Sequence, residues 1–172
     1  ADGPAQSDTP PRPGETSVEE GRGVHRLWSP MLGRHFFTIR SEERDAFVAR
    51  RHQGWTDEGI VCRAFVDGSG EGLAPVHRFY CPATQAYLYT IEPSEVQRLV
   101  HEYADRWQHE GIAFFAFPPG QQPAGAIPVH RFWSGRLNCH FFTADEREAG
   151  TLRENHADTW GSEGIVYYVY PP

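Results

Sequence analysis

Three dipeptides in this chain of 172 residues could do chemistry. His25-Arg26, His77-Arg78 and His130-Arg131 each follow a valine, in steps of 52 and then 53 residues. Three imidazoles related by repetition could meet on an axis and hold a metal ion with one position open, as a catalytic zinc does. Three guanidiniums could instead clamp a charged ligand, or meet carboxylates with two hydrogen bonds each. Carboxylates recur in the same register: Glu58, Glu110 and Glu163 each sit in a Trp-x-x-Glu-Gly-Ile segment. Strand alternation puts each His on the opposite face from its neighbouring Arg. The arginines lie in otherwise apolar strands, so Arg26–Glu58, Arg78–Glu110 and Arg131–Glu163 are expected to be structural ion pairs fixing each hairpin to its final strand. The histidines are expected to hydrogen-bond to backbone carbonyls. No metal site and no cofactor is assigned.

The aromatics give a second set. Trp28, Tyr80 and Trp133 share one repeated position, and Trp55, Trp107 and Trp160 share another. Aromatic faces pack against sugar rings, and they also build cores. The second trio precedes the Glu-Gly-Ile strand and is assigned to the core. The first lies beside turns that differ between units: Met31–Arg34, Ala83–Ala86 and Gly135–Cys139. Loops on a rigid scaffold are where binding tends to sit. The candidate ligand-binding residues are therefore Trp28, Arg34, His35, Tyr80, Gln85, Trp133, Asn138 and His140. Tyr87 stands where the other units have His35 and His140, which also fits a polar tip held in a turn. A catalytic reading finds little support. A nucleophile, a base and an orienter form one asymmetric group, and the polar residues here are triplicated. Three equivalent glutamates do not suggest the paired carboxylates of glycoside cleavage. No P-loop, Gly-x-Ser-x-Gly or His-Glu-x-x-His occurs.

The elements that hold these residues repeat with them. "VHRLW", "VHRFY" and "VHRFW" read as short strands. A turn with Pro30, Pro82 or Gly135 follows, then a return strand ending near Thr38, Thr90 or Thr143. Val96, Leu99, Val100 and Tyr103 fall at i, i+3, i+4 and i+7, which predicts one face of a helix. Pro93 suits its first turn, and Ser41 can cap the corresponding helix of the first unit. Phe47, Leu99 and Leu152 occupy equivalent, inward-facing positions. Each unit then ends in an apolar strand. Units of this size (24–70, 76–118, 129–171) bury too little surface to stand alone. The expectation is one β-rich α+β domain over 24–172. It has pseudo-threefold symmetry and three strand-hairpin/helix/strand repeats, arranged as a three-bladed ring or trefoil-like. Residues 1–23 read as a flexible Pro/Gly-rich leader.

The combination of Arg-[Leu/Phe]-[Trp/Tyr], a turn, His-Phe-Phe-Thr, a Glu-containing helix and Trp-x-x-Glu-Gly-Ile spans residues 24–171. It resembles a family of short repeats of unknown function. Those repeats occur, often in threes, in secreted bacterial and fungal proteins, frequently beside extracellular hydrolase domains. The resemblance implies an extracellular accessory or binding role and brings no catalytic residues. The second unit departs from the pattern with Tyr87-Leu88-Tyr89.

A net charge of −7 disfavours binding to nucleic acid. No run approaches the roughly 18 apolar residues that would insert in a membrane. Ala1 followed by a polar leader fits a secreted protein after signal-peptide removal. The cysteines break the symmetry. Cys62 aligns with Phe114 and Tyr167, Cys81 with Ser29 and Ser134, and Cys139 falls in a turn. A Cys62–Cys81 disulfide would join the first two units and contribute ~3 kcal/mol. The reading that results is a secreted, non-catalytic module recognising cell-surface or environmental glycan through repeated shallow sites. The alternatives are a module that binds an extracellular protein, as an adhesin or hydrolase inhibitor, and, more remotely, an extracellular hydrolase.

Overall fold

The computed structural model describes residues 18–172, so most of the expected leader lies outside the described residues. Its last part joins the fold: Val18–Glu20 form a 3-10 turn, and Arg22 already pairs with Ala64.

Three similar three-stranded antiparallel sheets follow, each with one helix. The first unit runs β1 (Arg22–Ser29), β2 (Arg34–Thr38), α1 (Ser41–Val48) and β3 (Thr56–Ala64). The second runs β4 (Ala74–Cys81), β5 (Ala86–Thr90), α2 (Pro93–His101) and β6 (Gln108–Ala116). The third runs β7 (Ile127–Ser134), β8 (Cys139–Thr143), α3 (Glu146–Asn155) and β9 (Gly161–Val169). The strand bearing Val-His-Arg is the middle one of each sheet. Pairing is the same in all three, with His25 opposite Thr38, His77 opposite Thr90 and His130 opposite Thr143. The architecture is β-rich and threefold-like, as the period predicted.

The recurring Glu-Gly has a local cause. Leu27 pairs with Asp57 and His25 with Ile60, so Glu58 and Gly59 together face Arg26 across a bulge. Gly59, Gly111 and Gly164 have φ of 94°, 89° and 83°, which a residue with a Cβ adopts only under strain. The bulge brings the glutamate beside the middle-strand arginine.

The three sheets are tied end to end. Arg63 exchanges two backbone hydrogen bonds with Tyr170, Phe65 with Phe115, and Phe117 with Tyr168. The outgoing strands of all three units thus form one closed ring of backbone pairs. Inside it the side chains come in threes: Val24, Val76 and Val129; Phe37, Tyr89 and Phe142; Ala64, Ala116 and Val169. Phe65, Phe117 and Tyr170 close one end, edge to face at 5.7–6.0 Å. Burying each large apolar side chain contributes about 1.5–3 kcal/mol, and most of it is shared between units. Smaller clusters lie under the helices. Leu27, Phe36, Phe47 and Trp55 pack together in the first unit, and Phe132, Ala149 and Leu152 in the third.

Helix details differ from expectation at two points. Ser41 is the first residue of α1 and does not cap it; the flanking residue is Arg40, with no side-chain cap. The Thr38 hydroxyl accepts from the Arg40 N–H, as Thr90 and Thr143 do for Glu92 and Asp145. A side-chain cap occurs in α3, where Asp145 accepts from the N–H groups of Arg147 and Glu148. In α2, Val96 and Leu99 are buried, but the helix ends at His101 and Tyr103 is exposed.

Candidate functional site

The candidate geometry lies at the junctions between units, and each junction has a charged base. Arg78 donates through Nε to Glu110 of its own unit at 2.8 Å. Its other two nitrogens grip Glu43 on α1 of the preceding unit at 2.9 and 2.8 Å. Arg131 does the same with Glu163 and with Glu95 on α2. Arg26 closes the circle with Glu58 and with Glu148 on α3. Each arginine therefore ties its own bulge to a neighbour's helix. The expected pairs within units are present, and they are half of the arrangement. The sequence reasoning missed Glu43, Glu95 and Glu148, although they recur in the same 52 and 53 steps as the arginines.

Burial opposes the charge on Glu43, but hydrogen bonds from Arg78 and Thr38 and the Arg78 charge outweigh it and hold the carboxyl below its ordinary range. Glu95 is held low in the same way by Arg131. The Arg78 guanidinium also lies over the Phe36 ring at 4.7 Å.

The histidines of the opening motif do not converge. His25 lies between Asp57 (3.2 Å) and Arg44 (3.2 Å), His77 meets His109 at 2.9 Å, and His130 meets Glu146 at 2.7 Å. Their partners are side chains rather than the expected backbone carbonyls. His25 and His77 share a partner position, Asp57 and His109, whereas His130, with Ser162 at that place, turns to Glu146 on α3. Among the described residues no group of three His, Cys, Asp or Glu is placed to hold a metal ion.

At the hairpin end of the axis, one residue serves all three units. Arg34 donates to the carbonyls of Gly33, Thr84 and Leu137, one from each hairpin turn, at 3.1, 3.1 and 3.2 Å. The structure thus makes Arg34 a clasp between turns, not a free ligand contact. Its counterparts are Ala86 and Cys139, since one guanidinium fills the axis.

The other ligand-binding candidates stand at the rims of clefts between the helix of one unit and the hairpin of the next. The cleft between units one and two, about 330 Å³, is lined by Arg50, Gln53 and Trp55 on one side and Tyr80, Gln85 and Tyr87 on the other. The cleft between units two and three is about 460 Å³, with Arg98, Arg106 and Trp107 facing Trp133, Asn138 and His140. Between units three and one, about 370 Å³, Trp160 and Phe141 face Trp28, Gly33 and His35. Trp55, Trp107 and Trp160, assigned to the core, thus also wall the clefts, and the latter two are half-buried. His35 and His140 lie against Trp28 and Trp133 at 4.6 and 4.7 Å. Their Nε2 atoms approach Glu58 (3.4 Å) and Glu163 (3.2 Å). Burial and then the Arg26 charge push His35 down to about 4, so it is neutral at pH 7. Tyr87 packs on Tyr80 at 4.9 Å, and burial raises its phenol.

The Cys62–Cys81 disulfide is not formed: Cys62, Cys81 and Cys139 are buried free thiols. Cys62 belongs to the axial cluster at the level of Val24 and Val76, whereas Cys81 ends β4, five residues beyond Val76 or about 16 Å along the strand. A disulfide needs its Cα atoms within about 7 Å. Burial pushes the Cys62 thiol up to about 12. Cys139 opens β8, opposite Ser134, rather than lying in a turn.

The charged groups at the base of this arrangement are committed to one another, while its rims carry aromatic, amide and guanidinium groups. No curated protein and no solved structure matches this chain. Residues 23–170, from β1 through β9, match a family described as a domain of unknown function, DUF5648, and the chain belongs to that family.

Proposed function

We propose that the protein is a secreted, non-catalytic module, built as a three-bladed ring, that binds cell-surface or environmental glycan in its three junction clefts. One observation carries the reading. The same pairing of aromatics recurs at each cleft: Trp28 with Trp160, Tyr80 with Trp55, and Trp133 with Trp107. Such faces suit the apolar face of a sugar ring. Gln85 and Asn138 beside them can exchange hydrogen bonds with hydroxyls. Sites of this shape are individually weak, and three on one body supply avidity for a repeating polymer.

A protein partner is the second reading. It is favoured by Met31, which is 68% exposed at the first hairpin turn, and by exposed Leu137 at the third. The two separate in a titration against immobilised glycans. Trp28→Ala, Tyr80→Ala and Trp133→Ala should each weaken glycan retention, by about tenfold on the scale of one aromatic contact. The triple variant should abolish it while still unfolding cooperatively, at a lowered melting temperature because each ring packs on His35, Tyr87 or His140. A flat response of the intact protein across neutral and acidic glycans would rule the glycan reading out.

A further inference from the structure

The three clefts share a plan but not a charge. Between units three and one, Arg26 meets the two carboxylates of Glu58 and Glu148, and Arg34 is taken up by three backbone carbonyls. Between units one and two, Arg50 joins Arg78 against Glu43 and Glu110, and the count is even. Between units two and three, Arg98, Arg106 and Arg131 face Glu95 and Glu163, leaving one positive charge in excess on a chain whose net charge is −7. Arg131 is fully engaged by the two glutamates. Arg106 donates to Asn138 Oδ1 at 3.2 Å and lies beside the Cys81 sulfur, where burial opposes ionisation but hydrogen bonds from Thr84 and then Arg106 outweigh it and hold the thiol below its ordinary range. Neither Arg98 nor Arg106 forms an ion pair among the described residues. Glu102 and Asp105 flank them in sequence, exposed as the two arginines are, but stand outside the cleft lining. The neighbouring indole adds a third donor. The Trp55 N–H is taken up by Gln53, whereas the Trp107 N–H has no acceptor among the described residues.

We infer that the cleft between units two and three is selective for acidic saccharides, binding a sugar carboxylate between Arg98 and Arg106 while the ring lies against Trp133. This rests on the glycan reading and adds the ligand's charge to it. A guanidinium fork matches a carboxylate with two charge-assisted hydrogen bonds. Both arginines are exposed beside the half-buried wall of Trp107 and Trp133, so their attraction for a carboxylate is open to screening by salt. The counterparts of Arg98 in the first and third units are Ala46 and Thr151, and those of Arg106 are Gly54 and Thr159. None of the four carries a charge, so the other two clefts lack this pair of cations.

The test titrates the intact protein with a galacturonate trimer, a hyaluronan tetrasaccharide and sialyllactose, each beside its carboxyl methyl ester. At least one acid should bind about tenfold or more tightly than its ester, the loss expected for removing one charged hydrogen-bond partner. The preference should fall with added salt. It should vanish in the Arg98→Ala/Arg106→Ala double variant and survive in Arg50→Ala. Esters that bind as tightly as the acids overturn the charge selectivity and leave the glycan reading standing. A preference that persists in the double variant overturns the assignment to this cleft. Probes that bind in neither form overturn both.

Discussion

The base and the rim of each junction obey different rules. At the base, Arg26, Arg78 and Arg131 each hold two glutamates, one from their own sheet and one from the neighbouring helix, and that pattern of hydrogen bonds is the same at all three junctions. At the rim, Gly33, Gln85 and Asn138 share one turn position, and Trp28, Tyr80 and Trp133 another, with a different set at each cleft. A base that closes a ring must close it three times, so any change is felt around the whole circle. A rim residue touches its own cleft or at most the next one, as Tyr87 and His140 do. Repetition here marks the frame, and variation marks the surfaces free to acquire a ligand.

The largest effect should come from breaking a base. Arg78 is 8% exposed, and its loss strands Glu43 and Glu110 together. Arg78→Ala should cost about 3–5 kcal/mol, as for one partner removed from a buried pair, measured by urea denaturation. Glu43→Ala should cost more than Glu110→Ala. Glu43 takes the two-bonded fork and the Thr38 hydroxyl, while Glu110 takes one bond and is more exposed. Equal costs for the two glutamates would mean that the arginine secures its own sheet as much as the junction, and the distinction between frame within a unit and frame between units would fall.

The contrast also marks what could be read from the residues alone. Period, strand order within each unit, the helix and the pairing of Arg78 with Glu110 follow from local register, because a hairpin and its bulge are set by neighbours in sequence. The closing contact to Glu43 comes from the preceding unit. Its residues recur in step, but no periodicity says which copy's helix reaches which copy's strand. Arg34 escapes a reading of the residues for a related reason. An axis accepts one residue where three are offered, so the residue that fills it looks like variation. The cysteines likewise look alike as spacings. Only the depth of Cys62 in the axial cluster separates it from Cys81 at the far end of its strand.

His35 stands between base and rim, with its ring on Trp28 and its Nε2 toward Glu58. The Glu148 charge pulls its affinity for protons upward, but that carboxylate is already gripped by Arg26 at 2.6 Å, and burial prevails. The unfolded ring takes up a proton near pH 6.5, and the folded one only near 4. Between those values the unfolded state binds more protons, so stability falls as pH falls, by up to about 3 kcal/mol. His35→Tyr, the residue type the second unit carries at position 87, should flatten denaturation midpoints between pH 6.5 and 4. The separate loss at lower pH should remain, since Glu43 and Glu95, held below their ordinary range, stabilise the fold above about 4.5 and lose that as they protonate. An unchanged slope in the upper window would place His35 with the open rim rather than the closed base.

The smallest effect should have the opposite sign. Gln85 sits at φ 55° in the turn where the first unit has Gly33 at 65° and the third has Asn138 at 53°. Asn tolerates this region and Gly enters it freely, whereas Gln is strained by roughly 1 kcal/mol. Gln85→Gly should therefore stabilise the fold, but only by about 0.5 kcal/mol, because glycine also loosens the unfolded chain. Asn138→Gly should be nearly neutral by the same reasoning. If Gln85→Gly raises the melting temperature while weakening retention on glycan, the strain is held for the ligand and the rim is set by binding. If it lowers the melting temperature, the Gln85 side chain contributes to folding, and the boundary between base and rim moves up into the turn.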